Sequence, residues 1–209
     1  MAGAHENLEH AEHAEHASHG GNKKIALLIS VIALCLAFSE TLGKSSQTSA
    51  LNHQIEASNL WNFFQAKNIR RTSTLVAAEQ TKLELMGAVN DAQKAAIAKQ
   101  VDEWNKTAAR YRSEPEAAGG KGEGTVELAR RAIEEQHLRD TALSRYHQYE
   151  FASAAFQIGI VLASAQVITS MAILGWLSGL LGVAGIVFMS LGLWAPNALD
   201  FILHAGGGH

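Results

Sequence analysis

The residues best suited to chemistry lie at the amino end, in HENLEHAEHAEHASHGG, where His10, His13, His16 and His19 recur every three positions. Glu6, Glu9 and Glu12 each precede a histidine by four. Imidazole nitrogens suit borderline cations such as zinc, nickel or copper, so adjacent pairs here could chelate one. On a helix, a step of three drifts by about 60° each time, and the rings spiral instead of sharing a face. The competing reading is a solvated tail with weak Glu–His pairs.

Two other pairs, Glu134-x-x-His137 and His147-x-x-Glu150, carry the residue types of a di-iron bundle. Such a site needs matching carboxylates on neighbouring helices, and residues 44 to 86 hold no Glu-x-x-His partner. Glu40 stands between Ser39 and Thr41 at the end of an apolar run. At bilayer depth it would mark a proton or ion path; two or three residues from the end of that run, it can instead reach interfacial water. The single cysteine, Cys35, excludes an intrachain disulfide and leaves little room for a thiolate metal site. No nucleophile motif, phosphate-binding glycine loop or His-Glu-x-x-His appears. The sequence therefore points away from an enzyme and implies no cofactor. With a net charge of −3 and no basic stripe, it also points away from nucleic acid.

The elements that must position these residues follow from a very uneven distribution of charge. Nearly all of it lies before residue 25 or between residues 44 and 150. Residues 25–42, 152–171 and 173–194 are apolar runs close to the roughly 20 residues that cross a ~30 Å hydrocarbon core. A cleavable signal peptide is the rival reading of the first run. Against it stand the run's length, the long acidic leader 1–24 and the lack of a small-x-small site. Nothing charged lies between Phe151 and Asp200, so the last two runs read as a tight pair of spans, with Trp176 and Trp194 as interfacial anchors. A carboxyl-terminal tail, 195–209, follows.

Residues 43–151 then form an extramembrane segment. From 44 to 113 it holds no proline and one glycine, Gly87, a composition for long helices. Leu83, Met86, Val89, Gln93, Ile97, Val101, Trp104, Ala108 and Tyr111 recur at a mean step of about 3.5, the coiled-coil value. A single helix over 44–113 would run on the order of 100 Å, which residues 125–151 could not retrace. The chain must fold back, and GAVND (residues 87–91), with Asn90 or Asp91 as a cap, is the best break. Residues 114–124, EPEAAGGKGEG, read as a flexible loop. The expected fold is all-α: three transmembrane helices with a long, coiled-coil-like helical hairpin between the first and the second.

The stretch LNHQIEASNLWNFFQAKNIRR, residues 51–71, resembles the hallmark of a bacterial family, domain of unknown function 4337. Gln54, Ile55, Ala57, Ser58, Trp61, Phe64, Gln65, Ala66 and Lys67 carry the resemblance. It extends to the order of parts: a Glu/His-rich tail, one span, the hallmark, a hairpin and two closing spans. The resemblance implies a bacterial membrane protein and brings no activity, substrate or cofactor. Members often have basic residues between the last two spans, which would face the cytoplasm; this sequence has none there. Trp61, Phe63 and Phe64 read as the packing core of the hairpin or, alternatively, a partner patch, with Lys67, Arg70 and Arg71 as a solvated shoulder.

On the third run Gly175, Gly179, Gly182, Gly185 and Gly192 fall on nearly one face. On the second, Ala152, Ala155, Gly159, Ala163, Gln166 and Ser170 do the same. Small residues let helices approach closely where lipid supplies no hydrophobic drive. Two such faces suggest contacts between subunits as well as within the chain. The leading expectation is a structural or interaction protein of the bacterial inner membrane, a homo-oligomer or an accessory subunit of a larger complex. The alternatives are an oligomeric pore or small transporter, with Glu40 or Gln166 facing the lumen, and metal sensing by the histidine tail. Lys23 and Lys24 before the first span place the amino end in the cytoplasm and the hairpin in the periplasm.

Overall fold

The structure, a computed structural model, describes residues 23–88 and 90–197. Among them are four α-helices, one 3₁₀ turn and no strand. Helix α1 spans Lys23–Glu84, and a 3₁₀ turn covers Leu85–Gly87. Helix α2 spans Asp91–Arg112, α3 Thr125–Thr169 and α4 Ala172–Trp194. The 62 residues of α1 contain no proline and only Gly43, so nothing in its interior breaks the hydrogen-bond ladder.

The ends of these helices have local causes. After the 3₁₀ turn Ala88 is extended, and Asn90 then caps α2, its side-chain oxygen accepting from the Gln93 backbone N–H at 2.8 Å. The seam expected to run through this break does not. Ile97, Val101, Trp104, Ala108 and Tyr111 form the covered stripe of α2, while Leu83 and Met86 are strongly exposed. The extended backbone at Ala88 re-phases the chain, so a stripe cannot pass from one helix to the next. Helix α3 stops at Thr169, two residues short of the expected span end. Ser170 takes a left-handed conformation at φ 56°, and α4 begins at Ala172.

The described residues belong to two compact units, one built from residues up to 51 and from 139 onward, the other from the residues between them. The first, the apolar unit, holds its core between α1, α3 and α4. Ile25, Ile29, Ile32 and Leu36 of α1 are buried with Ala152, Phe156, Ile160 and Ala163 of α3. Successive steps of four, three and four on α1 keep those four on one helical stripe. Ser39 continues it and donates from Oγ to the Tyr149 carbonyl oxygen at 2.9 Å, so its buried hydroxyl is satisfied. Helix α4 adds Ser178, Gly182, Gly185 and Gly192.

The glycines of α4 separate into two groups. A Cβ at Gly185 would stand 2.5 Å from the Phe156 ring, and one at Gly192 2.8 Å from that of Tyr149. Gly182 faces Ile32, and Gly175 faces the amide of Gln166. Gly179 faces nothing within 4 Å, so the spacing Gly175-x-x-x-Gly179 is not a single contact surface. The two residues are neighbours on the helix surface, but Gly179 lies further from the inward stripe than Gly175. Most of the small-residue face thus serves packing within the chain, with Ala152, Gly159 and Ala163 of α3 buried in the same way.

In the second, polar unit, Leu60 of α1 is buried against Leu128 and Ala132 of α3, flanked by Trp61 and Phe64. The stretch 113–124 forms a set of turns closed by backbone bonds, including Gly122 N–H to the Ala117 carbonyl and Glu123 N–H to that of Glu114. Gly119, Gly120 and Gly122 all take positive φ, which side chains disfavour, and this explains their clustering here.

Candidate functional site

Around the buried Leu60–Leu128 contact the polar unit assembles its most specific chemistry. Trp61 and Phe64 meet edge to face with ring centroids 5.4 Å apart, the arrangement favoured by aromatic quadrupoles. One turn further along, Lys67 is buried, with 7% of its surface exposed. Its Nζ lies 3.4 Å from Glu123 Oε2 and 3.8 Å from Glu114 Oε2, and 5.7 Å from the centre of the Phe63 ring. Reading Lys67 as part of a solvated shoulder is therefore incorrect. The two glutamates arrive from the turn segment 113–124, about fifty residues downstream, where no spacing rule in α1 could reveal them. With three negative or π-rich neighbours, a buried ammonium is compensated on several sides.

The same turns are tied to the first turn of α3. Glu127 accepts from Ser113 Oγ at 2.5 Å and from the Glu114 backbone N–H at 3.3 Å. Partial burial pushes the Glu127 carboxyl up, but the Ser113 hydroxyl, the two backbone N–H groups and Arg130 outweigh it and hold the group below its ordinary value. Arg131 Nη1 donates to the Gly122 carbonyl at 3.3 Å. A cleft beside this knot is lined by Glu56, Lys121, Arg130, Arg131, Glu134 and Glu135, with both signs of charge. At the far end of the unit His53 Nδ1 pairs with Glu135 Oε2 at 2.7 Å.

The hallmark residues divide by face. Ala57, Trp61, Phe64 and Lys67 turn toward the unit's interior, whereas Gln54, Ile55, Ser58 and Gln65 are exposed. Phe63 is also exposed, at 46%, so the aromatic trio is not a single patch. Among the described residues no group of three or more His, Cys, Asp or Glu side chains is placed to hold a metal. His147 pairs only along its own helix, with Glu150 at 3.5 Å, and Glu134 lies in the polar cleft. His10, His13, His16 and His19 lie outside the described residues.

In the apolar unit Glu40 is half-buried beside the fully buried Ser39. Four buried side-chain oxygens there have no hydrogen-bond partner among the described residues: Gln148 Oε1, Ser164 Oγ, Gln166 Oε1 and Ser178 Oγ. Gln148 does donate from Nε2 to the Pro196 carbonyl at 3.4 Å. Of these four, only Gln166 stood out in the sequence: Ser164 and Ser178 lie in apolar runs and Gln148 in the polar stretch before one, and none of the three announces which way it faces.

These observations define the class: an all-helical protein in which α1, α3 and α4 are each long and apolar enough to cross a membrane. The chain belongs to the family called domain of unknown function (DUF4337), whose model matches residues 21–195. No match was found among curated proteins, and none among solved structures.

Proposed function

We propose that the chain is an integral protein of the bacterial inner membrane with a structural or interaction role, self-assembling or serving as an accessory subunit of a larger complex. The observation that carries this reading is the outward face of the apolar unit. Leu34 and Phe38 of α1, Ile158 and Val161 of α3, and Trp176, Leu180 and Val183 of α4 are all at least half exposed. Side chains of that size stay outward when the surroundings are hydrocarbon. Trp176 and Trp194, more than four-fifths exposed near the ends of α4, suit the two interfaces. In this reading the distal part of α1, α2 and the start of α3 form a coiled-coil-like hairpin in the periplasm. The pairs His53–Glu135, Leu60–Leu128 and Lys67–Glu123, whose α1 numbers rise as their partners' fall, support an antiparallel seam.

Native mass spectrometry of the full chain, extracted gently from its own membrane, tests the role. A discrete homo-oligomer or a complex with other subunits is expected; a lone monomer would sink the proposal. A second reading, an oligomeric pore or small transporter, draws on the unpartnered oxygens of Gln148, Gln166 and Ser178 inside the bundle. Ion conductance that vanishes in Gln166→Leu would favour it. Metal binding by the histidine tail stays a separate proposal, to be checked by titrating zinc or nickel into the full chain.

A further inference from the structure

The charged cleft of the polar unit is sorted by sign. It measures about 420 Å³ and is lined by Glu56 of α1, Lys121 of the turns, and Arg130, Arg131, Glu134 and Glu135 of α3. That volume lies at the lower end of the usual range for small-molecule sites. Lys121, Arg130 and Arg131 gather toward the start of α3, where Arg131 also holds the Gly122 carbonyl. Glu134 and Glu135 follow one helical turn, about 5.4 Å, further along α3. Glu56 belongs with these carboxylates, because it lies one turn along α1 from His53, whose ring pairs with Glu135.

The spacing on α3 would let these charges cancel, since Arg130 and Glu134, and Arg131 and Glu135, stand four residues apart. Neither pair closes. In both the basic residue comes first, the weaker order on a helix. Arg131 turns instead to Gly122 at 3.3 Å, and Glu135 to His53 at 2.7 Å. Glu56, Lys121, Arg130 and Glu134 are exposed and form no ion pair within 4.0 Å among the described residues. Arg130 acts on Glu127 at longer range. The cleft thus keeps a cationic end and an anionic end apart. We propose that it binds a small zwitterion, with its anionic oxygens against Lys121, Arg130 and Arg131 and its ammonium against Glu56 and Glu134. A plain anion would also meet the carboxylates, and a plain cation the guanidinium groups, so a ligand carrying both signs is the one favoured at each end. A phosphate or carboxylate fits the guanidinium forks, and a primary ammonium fits carboxylate oxygens. A soluble amino compound and an aminophospholipid headgroup share this chemistry. The inference goes beyond the structural role proposed above and does not depend on it.

Titration calorimetry of the full chain in phospholipid-free detergent tests the site. Two zwitterions, phosphoethanolamine and glycylglycine, are compared with inorganic phosphate and with ethanolamine. At least one zwitterion should bind about ten times more tightly than either simple ion, because its two charged ends are tethered. Lys121→Gln with Arg130→Gln should weaken that zwitterion about tenfold, and so should Glu56→Gln with Glu134→Gln. The second double variant carries the decisive sign, since it should weaken the zwitterion while strengthening inorganic phosphate. All four side chains are exposed, so helix content by circular dichroism should stay that of the parent. Returning the full chain to bilayers of phosphatidylethanolamine identifies the source. Loss of soluble zwitterion binding there assigns the lipid headgroup, and unchanged binding assigns a soluble ligand. Zwitterions that bind no better than phosphate would overturn the proposal, as would a zwitterion affinity that survives loss of both Glu56 and Glu134.

Discussion

The two units are built on the same step of three and four residues along α1, yet they solve opposite problems. In the apolar unit the covered stripe is Ile25, Ile29, Ile32 and Leu36, and the outward side chains are also large and apolar. In the polar unit the covered stripe combines Ala57, Leu60 and Lys67 with the partly covered Trp61 and Phe64, and the outward side is mixed. Water drives the second packing through apolar burial. In the membrane setting proposed above, hydrocarbon offers no such drive and the first would depend on close approach; glycines sit where rings of Phe156 and Tyr149 need room. The lesson is that one helix can keep a single geometric pattern while the physical reason for it changes along its length.

Several substitutions can break or sharpen this contrast. The largest effect is expected from Leu128→Ala, where a side chain 1% exposed fills the core of the polar unit. Loss of the transfer term and the cavity together should cost about 2–5 kcal/mol. Leu36→Ala, fully buried in the apolar unit, should cost clearly less if that unit sits in hydrocarbon as proposed, because the removed methyl groups then leave one apolar medium for another and only contacts are lost. Unfolding of the full chain in bicelles, followed by probes in each segment, checks the pair. Equal costs would mean that both units answer to the same solvent.

Next in size is Gly185→Leu, expected to destabilise the apolar unit by about 1–3 kcal/mol through collision with Phe156. Gly179→Leu should change little, since open space lies beyond its Cβ direction. The thermal transition in detergent separates the two variants. Lys67→Ala should follow at roughly 1–2 kcal/mol, held down because Glu114 and Glu123 each keep about a third of their surface and stay hydrated. Lys67→Met should recover part of that loss by retaining the packed stem against Phe63.

A smaller effect concerns acid. The Glu127 carboxyl is held below its ordinary value, so its contribution is present above the unfolded-state pKa and disappears as pH falls through the folded one. Amide protection at Glu114 and in the first turn of α3 should therefore decline first on acidification. In Glu127→Gln this pH dependence should be absent. Smallest of all, Ser178→Ala should lie within about 0.5 kcal/mol of the parent or be slightly stabilising, because the buried hydroxyl has no partner among the described residues.

Much of the architecture was legible in the sequence for plain reasons. Apolar runs of about twenty residues are long enough to match the thickness of a bilayer, and the scarcity of proline leaves helix as the default. Asn90 could be read as a cap because capping depends on a side chain and a backbone N–H three residues apart. The hallmark from Gln54 to Lys67 marked the family. What the sequence could not decide depends on distant partners. Lys67 looks like any surface lysine until the turns bring Glu114 and Glu123 to it, and Gly175, Gly182 and Gly185 look equivalent to Gly179 until α1 and α3 choose their sides. Local periodicity records which residues share a face of one helix. Only the packing of helices against one another determines which face is covered, because that choice is made by contacts between residues far apart in the chain.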